Sequence, residues 1–199
     1  MNVKDYVGDL IGASLLITES RIIAGYLLKD LSDDEWKSLV IEQNILQKRS
    51  AQTASRYTKT IRHRVGGLGD DFIASLLEST ERAYIQLLMA ALLIDSPIVA
   101  DFMRLSLAEA RRTYKPTLAS DAWTEFYDTQ IRVYPELNKF FESTINKMGN
   151  NAIKSLVDSG YLSTSRKRQI QPVYLLPEVK ECLISINRED LIDVMECTI

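Results

Sequence analysis

The sequence predicts an all-α (mainly α) protein. Apolar residues recur at helical spacing over long stretches, and the 199 residues include only eight Gly and five Pro. A composition of 46% apolar and 26% charged residues is typical of a folded globular chain. We therefore expect a helical bundle in residues 1–118, followed by a winged-helix-like part in residues 119–199 with one small β-hairpin. Both parts are expected to pack as one compact unit.

Helix-start signals place the elements of the first part. Apolar spacing predicts short helices over residues 6–17 and 21–29, and Ser32 with Glu35 forms a capping box that begins a third. The glycines of residues 66–69 end a basic helix; they follow a helix and lack Gly-Lys-Ser/Thr, so they are not a phosphate-binding loop. A long helix is expected over 70–93. Ser96-Pro97 then begins another, which runs to about residue 114.

The last third has the element order of a winged helix-turn-helix. Ser120 caps one helix, Pro135 begins a shorter one, and a third covers residues 145–158, where Gly149 should weaken the helix by about 1 kcal/mol. Apolar residues then flank a basic turn, which predicts a hairpin. In a winged helix the third helix enters the major groove and the hairpin tip meets the backbone. The alternative is a helical hairpin followed by a solvated turn. Acidic amphipathic helices are expected over 177–199.

Positive charge is concentrated in two blocks. Residues 43–69 hold six Lys/Arg and no Asp or Glu, although the whole chain has a net charge of -3. Helical projection of this block, with a basic helix over 48–64, places apolar residues on one face and basic ones on the other. Residues 143–172 hold five Lys/Arg and one acid. Such a strip is typical of a surface that binds an anion, whereas a merely solvated helix face usually mixes both signs of charge.

The candidate nucleic-acid-binding residues come from both blocks. The first block would hold phosphates, and the helix and hairpin tip of the second would meet a groove and its flank. The predicted contacts are Lys48, Arg49, Gln52, Arg56, Lys59, Arg62, Asn146, Lys147, Asn151, Lys154, Arg166, Lys167 and Arg168.

Catalytic, metal and membrane signals are absent from the sequence. His63 is the single histidine and has no carboxylate nearby in sequence, and Cys182 and Cys197 lack metal-ligand spacing. We therefore expect no enzyme activity, no cofactor and no metal. The apolar run over residues 83–94 is 12 residues long, short of the roughly 20 that cross a membrane. Acids in the first ten residues oppose a signal peptide, so a cytoplasmic protein without membrane contact is expected.

Several motifs resemble a known family. Asn44-x-x-Gln47-x-Arg49-Ser50-x-x-Thr53-x-x-Arg56, Trp123-x-x-Phe126, Thr144-x-x-Lys147 and Leu156-x-x-Ser159-Gly160-Tyr161-Leu162 occur in the order seen in the BrxA family of BREX bacteriophage-defence systems. The resemblance implies an all-helical protein related in shape to the antitermination factor NusB. It also implies binding to double-stranded DNA, with a methyltransferase, an ATPase and a phosphatase-like protein as further BREX partners.

The predicted function is therefore non-catalytic binding of double-stranded DNA in a BREX-type system. One alternative is an adaptor whose basic surface meets an acidic partner protein without touching nucleic acid. Another is RNA binding by a NusB-like surface, because basic helices do not by themselves distinguish the two nucleic acids. The target sequence, the oligomeric state and whether the two basic blocks share one face stay open at this stage.

Overall fold

A computed structural model describes residues 2–29 and 31–198. Its α-helices are α1 (Val3–Val7), α2 (Ile17–Leu27), α3 (Asp33–Lys37), α4 (Ala51–Gly66), α5 (Asp70–Glu78), α6 (Glu81–Asp95), α7 (Pro97–Phe102), α8 (Glu109–Arg112), α9 (Ala122–Val133), α10 (Glu142–Asp158), α11 (Pro177–Ser185) and α12 (Asp190–Glu196). Ser38–Glu42 and Met103–Ala108 are π-helical, and Pro135–Lys139 is a 3-10 turn. The prediction of an all-α protein is confirmed.

Helix α6 lies at the centre of the fold. Ten of its residues are buried, so the helix is enclosed on nearly all sides rather than amphipathic. It packs against α1, α4, α5 and α7 from the first part of the chain and against α11 and α12 from the last. Side chains from both predicted parts therefore line one continuous apolar core.

No single described helix is long and apolar enough to cross a membrane. Helix α6 and the helical stretch over residues 97–112 reach that length only together, and the chain bends by 108° between them.

Two predicted helix boundaries are wrong, for local reasons. The helix expected over 6–17 ends at Val7, because Gly8 adopts φ 55° and ψ -139°, a conformation open only to glycine. The helix expected over 70–93 is interrupted at Ser79, which is extended, and restarts where the Thr80 hydroxyl accepts the Ala83 N–H. The capping box at Ser32 is confirmed, since both of its hydrogen bonds are present.

The last third keeps the predicted order of α9, a short turn, α10 and a basic loop. A two-stranded ladder does not form among the described residues of that loop; instead Leu162 and Ile170 form one antiparallel bridge, and Thr117 and Gln169 another. The second half of the loop pairs both with the first half of the loop and with residues 116–118. Neither pairing therefore extends into a ladder. Helices α11 and α12 follow as predicted.

Gly149 is the point where α10 crosses α9. A Cβ at this position would lie 2.4 Å from Trp123 Cδ1, inside the indole ring, so glycine is needed for close packing. The Trp123 Nε1–H donates to the Ile145 carbonyl at 3.0 Å, which fixes the ring at this crossing. The glycine lowers helix propensity but permits the two helices to meet.

Gly149→Ala distinguishes helix propensity from packing, because the two effects change the free energy of unfolding in opposite directions. Helix propensity alone would raise the free energy of unfolding by about 1 kcal/mol. We expect the opposite, a loss of about 1–3 kcal/mol, because the methyl group overpacks the indole ring. Urea denaturation followed by tryptophan fluorescence measures the change. An increase in stability would show that Trp123 moves freely aside.

Candidate nucleic-acid interface

A clamped loop leads into the basic helix α4. The Asn44 side chain donates to the Lys48 carbonyl at 3.0 Å and accepts the Lys48 N–H at 2.9 Å. Asn44 and Gln47 have φ of 47° and 50°, so the chain turns here and cannot be helical. The helix begins at Ala51, where the Ser50 hydroxyl accepts the Thr53 N–H. The predicted basic helix over 48–64 is thus corrected to Ala51–Gly66, with Lys48 and Arg49 in the loop.

The exposed face of α4 is the one that the sequence predicts. Gln52, Arg56, Lys59 and His63 are exposed and lie within three turns of one another on one side of the helix. The buried side consists of Ala54, Thr58, Thr60, Ile61, Arg64 and Val65. It packs against α2, α5, α6 and the π-helical Ser38–Glu42. Arg64 is the one basic residue of the helix on the buried side.

Neighbouring acids neutralise some of the predicted contacts. The Lys48 Nζ forms an ion pair with Glu19, and the Arg62 guanidinium lies 3.7 Å from Asp33 and over the Trp36 ring. By contrast Arg49, Arg56 and Lys59 form no ion pair within the part of the chain that the structure describes, and these three are the free cations of the first block.

A buried ionic cluster lies beneath the basic face. The Asp95 side chain is 2% exposed; its Oδ2 accepts the Asp9 N–H at 3.1 Å and the Ser96 hydroxyl at 2.8 Å. The Arg64 Nε lies 3.9 Å from the same oxygen, and its Nη1 donates to the Ser14 carbonyl at 2.8 Å. The cluster therefore ties α4 and the end of α6 to the loop over residues 8–16.

Burial lowers the pKa of the Arg64 guanidinium, and the nearby Asp95 and Asp9 carboxylates oppose that shift. Among the described residues, the Arg64 Nε and Nη2 have no hydrogen-bond partner, so the Asp95 charge is the main compensation. Gly8 makes the approach possible, since a Cβ there would lie 2.0 Å from the Asp95 carbonyl oxygen. Sequence reasoning missed this cluster. The available signal was the spacing of Arg64 from Ile61 and Leu68, which puts it on the apolar arc.

His63 has a carboxylate partner that is distant in sequence. Its Nδ1 lies 2.9 Å from the Asp95 Oδ1, while 76% of the imidazole side chain is exposed. The ring is thus anchored on one side and open on the other. In the described ranges there is no group of His, Cys, Asp or Glu side chains that could hold a metal ion.

Two grooves run along the sides of this face. One, of about 700 Å³, lies between α4, the segment at Gly8 and Asp9, and the end of α6. The other, of about 560 Å³, lies between α4 and α3 with its π-helical continuation. Lys59 and His63 line both grooves and form the ridge between them.

Helix α10 presents fewer free contacts than the sequence predicts. The Asn151 amide is half-buried and donates to the Leu10 carbonyl at 2.7 Å, so it holds the loop over residues 8–16. Lys154 pairs with Asp158 at 2.9 Å. Asn146 and Lys147 are exposed, and Lys147 lies one turn from Asn151 on the same face.

The basic loop after α10 is divided in the same way. The Arg168 guanidinium donates to the carbonyls of Ala119, Ser120 and Ser165, so it holds the loop against the segment before α9. Arg166 and Lys167 are exposed and have no ion pair in residues 2–29 and 31–198.

One short loop contacts helices from both basic blocks. The loop over residues 8–16 contacts α4 through the Ser14 carbonyl, the Asp95 cluster through the Asp9 N–H, and α10 through the Leu10 carbonyl. Helices α4 and α10 therefore both contact this loop. The basic loop is hydrogen-bonded instead to residues 116–120.

Comparison with known proteins identifies the family. The family model described as BrxA matches residues 4–187. The chain belongs to the BrxA family. It is 41% identical over 195 residues to the BREX protein BrxA of Escherichia coli O9:H4 (strain HS), which covers 98% of this chain and 92% of that relative. The BREX protein BrxA of Paramagnetospirillum magneticum (strain ATCC 700264 / AMB-1) is 29% identical over 194 residues, 98% of each chain.

A solved structure shares the fold of this BrxA family member. The crystal structure of an uncharacterized protein from Magnetospirillum magneticum has a TM-score of 0.86 and 27% identity, covering 97% of this chain and 99% of that chain. The family predicted from the motifs is thus confirmed, and the chain is a BREX component of the BrxA type.

The structure gives physical roles to the residues that carry the resemblance. Asn44, Gln47 and Ser50 form the turn and the cap that set the start of α4. Trp123 and Phe126 form an aromatic cluster with Phe102, with ring centroids 5.1–5.6 Å apart. These motifs of the BrxA family therefore position the basic helix and close the core.

Proposed function

We propose that this BrxA family protein binds double-stranded DNA and does so without catalysing a reaction. The observation that carries the proposal is the exposed face of α4 with its loop, where Arg49, Arg56 and Lys59 form no ion pair within the described chain. In a protein of net charge -3, such a face attracts the phosphates of a duplex.

The second basic block supplies the further contacts in this proposal. Asn146 and Lys147, exposed near the start of α10, would meet base edges, since Asn pairs with adenine and Lys with guanine or phosphate. Arg166 and Lys167 would contact the backbone as the tip of a wing does. Asn151 and Arg168 donate to backbone carbonyls of other segments, so we assign them to holding the surface in place, whereas Lys48, Arg62 and Lys154 are each paired with a carboxylate.

The cellular role follows from the family. We propose that the protein serves phage defence in the cytoplasm beside other BREX components, with the methyltransferase, the ATPase and the phosphatase-like protein as partner classes. The bacterial relatives that share nearly its full length are named as BREX proteins, which supports this context.

Salt dependence tests DNA binding directly. If the free cations neutralise roughly five phosphates, log affinity should fall with log salt at a slope of about -4 to -5. Fluorescence anisotropy of a labelled duplex at several salt concentrations measures the slope. Competition with single strands and RNA tests the preference for duplex DNA. An absence of binding at low salt would contradict the proposal.

A protein-protein adaptor is the second candidate, favoured by exposed apolar side chains beside α10. Phe141, at the N-cap of α10, is 82% exposed and Val133, at the end of α9, is 62% exposed, so both side chains are available to a partner protein. Pull-down of the other BREX components after nuclease treatment distinguishes the roles. A complex that survives, together with no DNA retention by the isolated protein, favours the adaptor.

A further inference from the structure

The unexplained feature of the basic face is the orientation of His63. The Asp95 carboxylate faces the Arg64 guanidinium within a buried cluster, and its oxygens act there as hydrogen-bond acceptors. The His63 Nδ1, 2.9 Å away, must then carry the hydrogen. The ring is held by Asp95, so its Nε2 points away from the cluster, where most of the side chain is exposed.

The Asp95 carboxylate is rigid enough to fix that ring. Its second oxygen already receives the Asp9 N–H and the Ser96 hydroxyl, so Oδ1 is the oxygen left for the imidazole. The partner of this exposed imidazole is only 2% exposed, so the contact anchors the ring to the protein interior. The contact with Asp95 anchors Nδ1 and leaves Nε2 available to a ligand on the open surface.

The surroundings favour an anion as that ligand. The groove of about 700 Å³ beside His63 is lined by the cations Lys4, Arg56, Lys59 and Arg64 against the carboxylates Asp5, Asp9 and Asp95. The Asp95 charge is already balanced by Arg64 inside the protein. Lys59 lies one helical turn before His63, and Arg56 lies two turns before it. Both are therefore on the same exposed face as the imidazole.

We propose that this groove is a phosphate-binding site in which His63, positioned by Asp95, donates its Nε2–H to a phosphate oxygen. Lys59 and Arg56 contribute charge on the side of α4. The inference deepens the proposed function and rests on it where the phosphate belongs to a duplex. Because the ring is held in one orientation, it donates only to a phosphate oxygen at one position, whereas the flexible lysine side chains follow the backbone without such selectivity. In the complex a carboxylate oxygen faces one ring nitrogen and a phosphate oxygen faces the other, so both nitrogens are placed to donate.

The single histidine permits an unambiguous experiment. In the full chain, NMR of the His63 ring would be recorded with a short blunt DNA duplex, with deoxyadenosine 5′-monophosphate and with inorganic phosphate. We expect the duplex to shift the Nε2 and Hε1 resonances towards those of the imidazolium, while the Nδ1 signal keeps the form of a protonated nitrogen.

Each outcome separates this inference from DNA binding itself. A shift with the duplex supports a backbone phosphate in the groove. A shift with the mononucleotide or phosphate alone supports a site for a terminal or free phosphate and counts against the proposed DNA interface. Duplex binding seen by anisotropy with an unchanged His63 ring overturns the inference and leaves DNA binding intact. No shift with any of the three probes overturns it as well.

Two variants test the positioning by Asp95. Asp95→Asn keeps the shape of the side chain but offers an amide N–H to the imidazole, so it should move the hydrogen from Nδ1 to Nε2, which the nitrogen chemical shifts would show.

His63→Ala should weaken duplex binding about tenfold at 0.1 M salt and reduce the salt slope by about one. His63→Ala removes the partner of Asp95 Oδ1 but exposes that oxygen to water, so the protein should stay folded, which circular dichroism checks. Unchanged affinity and slope in His63→Ala would refute the contact.

Discussion

Asp95→Ala is expected to lower the free energy of unfolding by about 3–5 kcal/mol, because it leaves a buried charge without its counter-ion. The Arg64 side chain is 3% exposed and its Nε lies 3.9 Å from Asp95 Oδ2. The same substitution removes the acceptor of the Asp9 N–H and of the Ser96 hydroxyl. With His63 Nδ1, four groups thus lose their partner at once. Urea denaturation followed by circular dichroism measures the change.

Arg64→Met is the matched comparison for this cluster. It removes the other member of the pair but leaves Asp95 with the Asp9 N–H, the Ser96 hydroxyl and His63, so it should be less destabilising than Asp95→Ala. The double variant should be more stable than the sum of the two single changes implies, since neither charge is then buried alone. A loss below about 1 kcal/mol for Asp95→Ala would show that water enters and solvates Arg64.

The face of α4 was predictable because it depends on local periodicity. Residues three and four positions apart share a helix face, so the apolar spacing of Ala54, Ile61 and Val65 also determines where Arg56 and Lys59 point. The start of α4 was not predictable in the same way. It depends on left-handed backbone conformations at Asn44 and Gln47, which the periodicity of neighbouring residues does not indicate.

The identity of the free cations depends on tertiary contacts. Lys48 and Arg62 are as basic in sequence as Arg56 and Lys59, but Glu19 and Asp33 reach the first two from other helices. Arg64 is buried because Asp95, 31 positions later, and the turn at Gly8 meet it in space. The block of positive charge in the sequence therefore predicted which surface is basic. It overestimated the number of exposed cations without an acidic partner on that surface.

Replacing both Arg56 and Lys59 with alanine is expected to weaken duplex binding roughly 100-fold at 0.1 M salt. Each cation that neutralises one phosphate contributes about a factor of ten at that salt concentration through counterion release. The slope of log affinity against log salt should become shallower by about two. The loss should be similar for unrelated duplex sequences, because phosphate contacts carry no sequence information.

The double variant should fold as well as the parent protein. Arg56 and Lys59 are exposed and unpaired in the described chain, so the free energy of unfolding should change by no more than about 0.5 kcal/mol. Lys29→Ala is a control for the loss of an exposed cation elsewhere, since Lys29 is exposed, lies outside both basic blocks and should leave the salt slope unchanged. Anisotropy titrations of the three proteins at matched salt measure affinity and slope. If the double variant binds as tightly as Lys29→Ala, the phosphates do not lie along α4, and the interface must be sought at α10 and the basic loop.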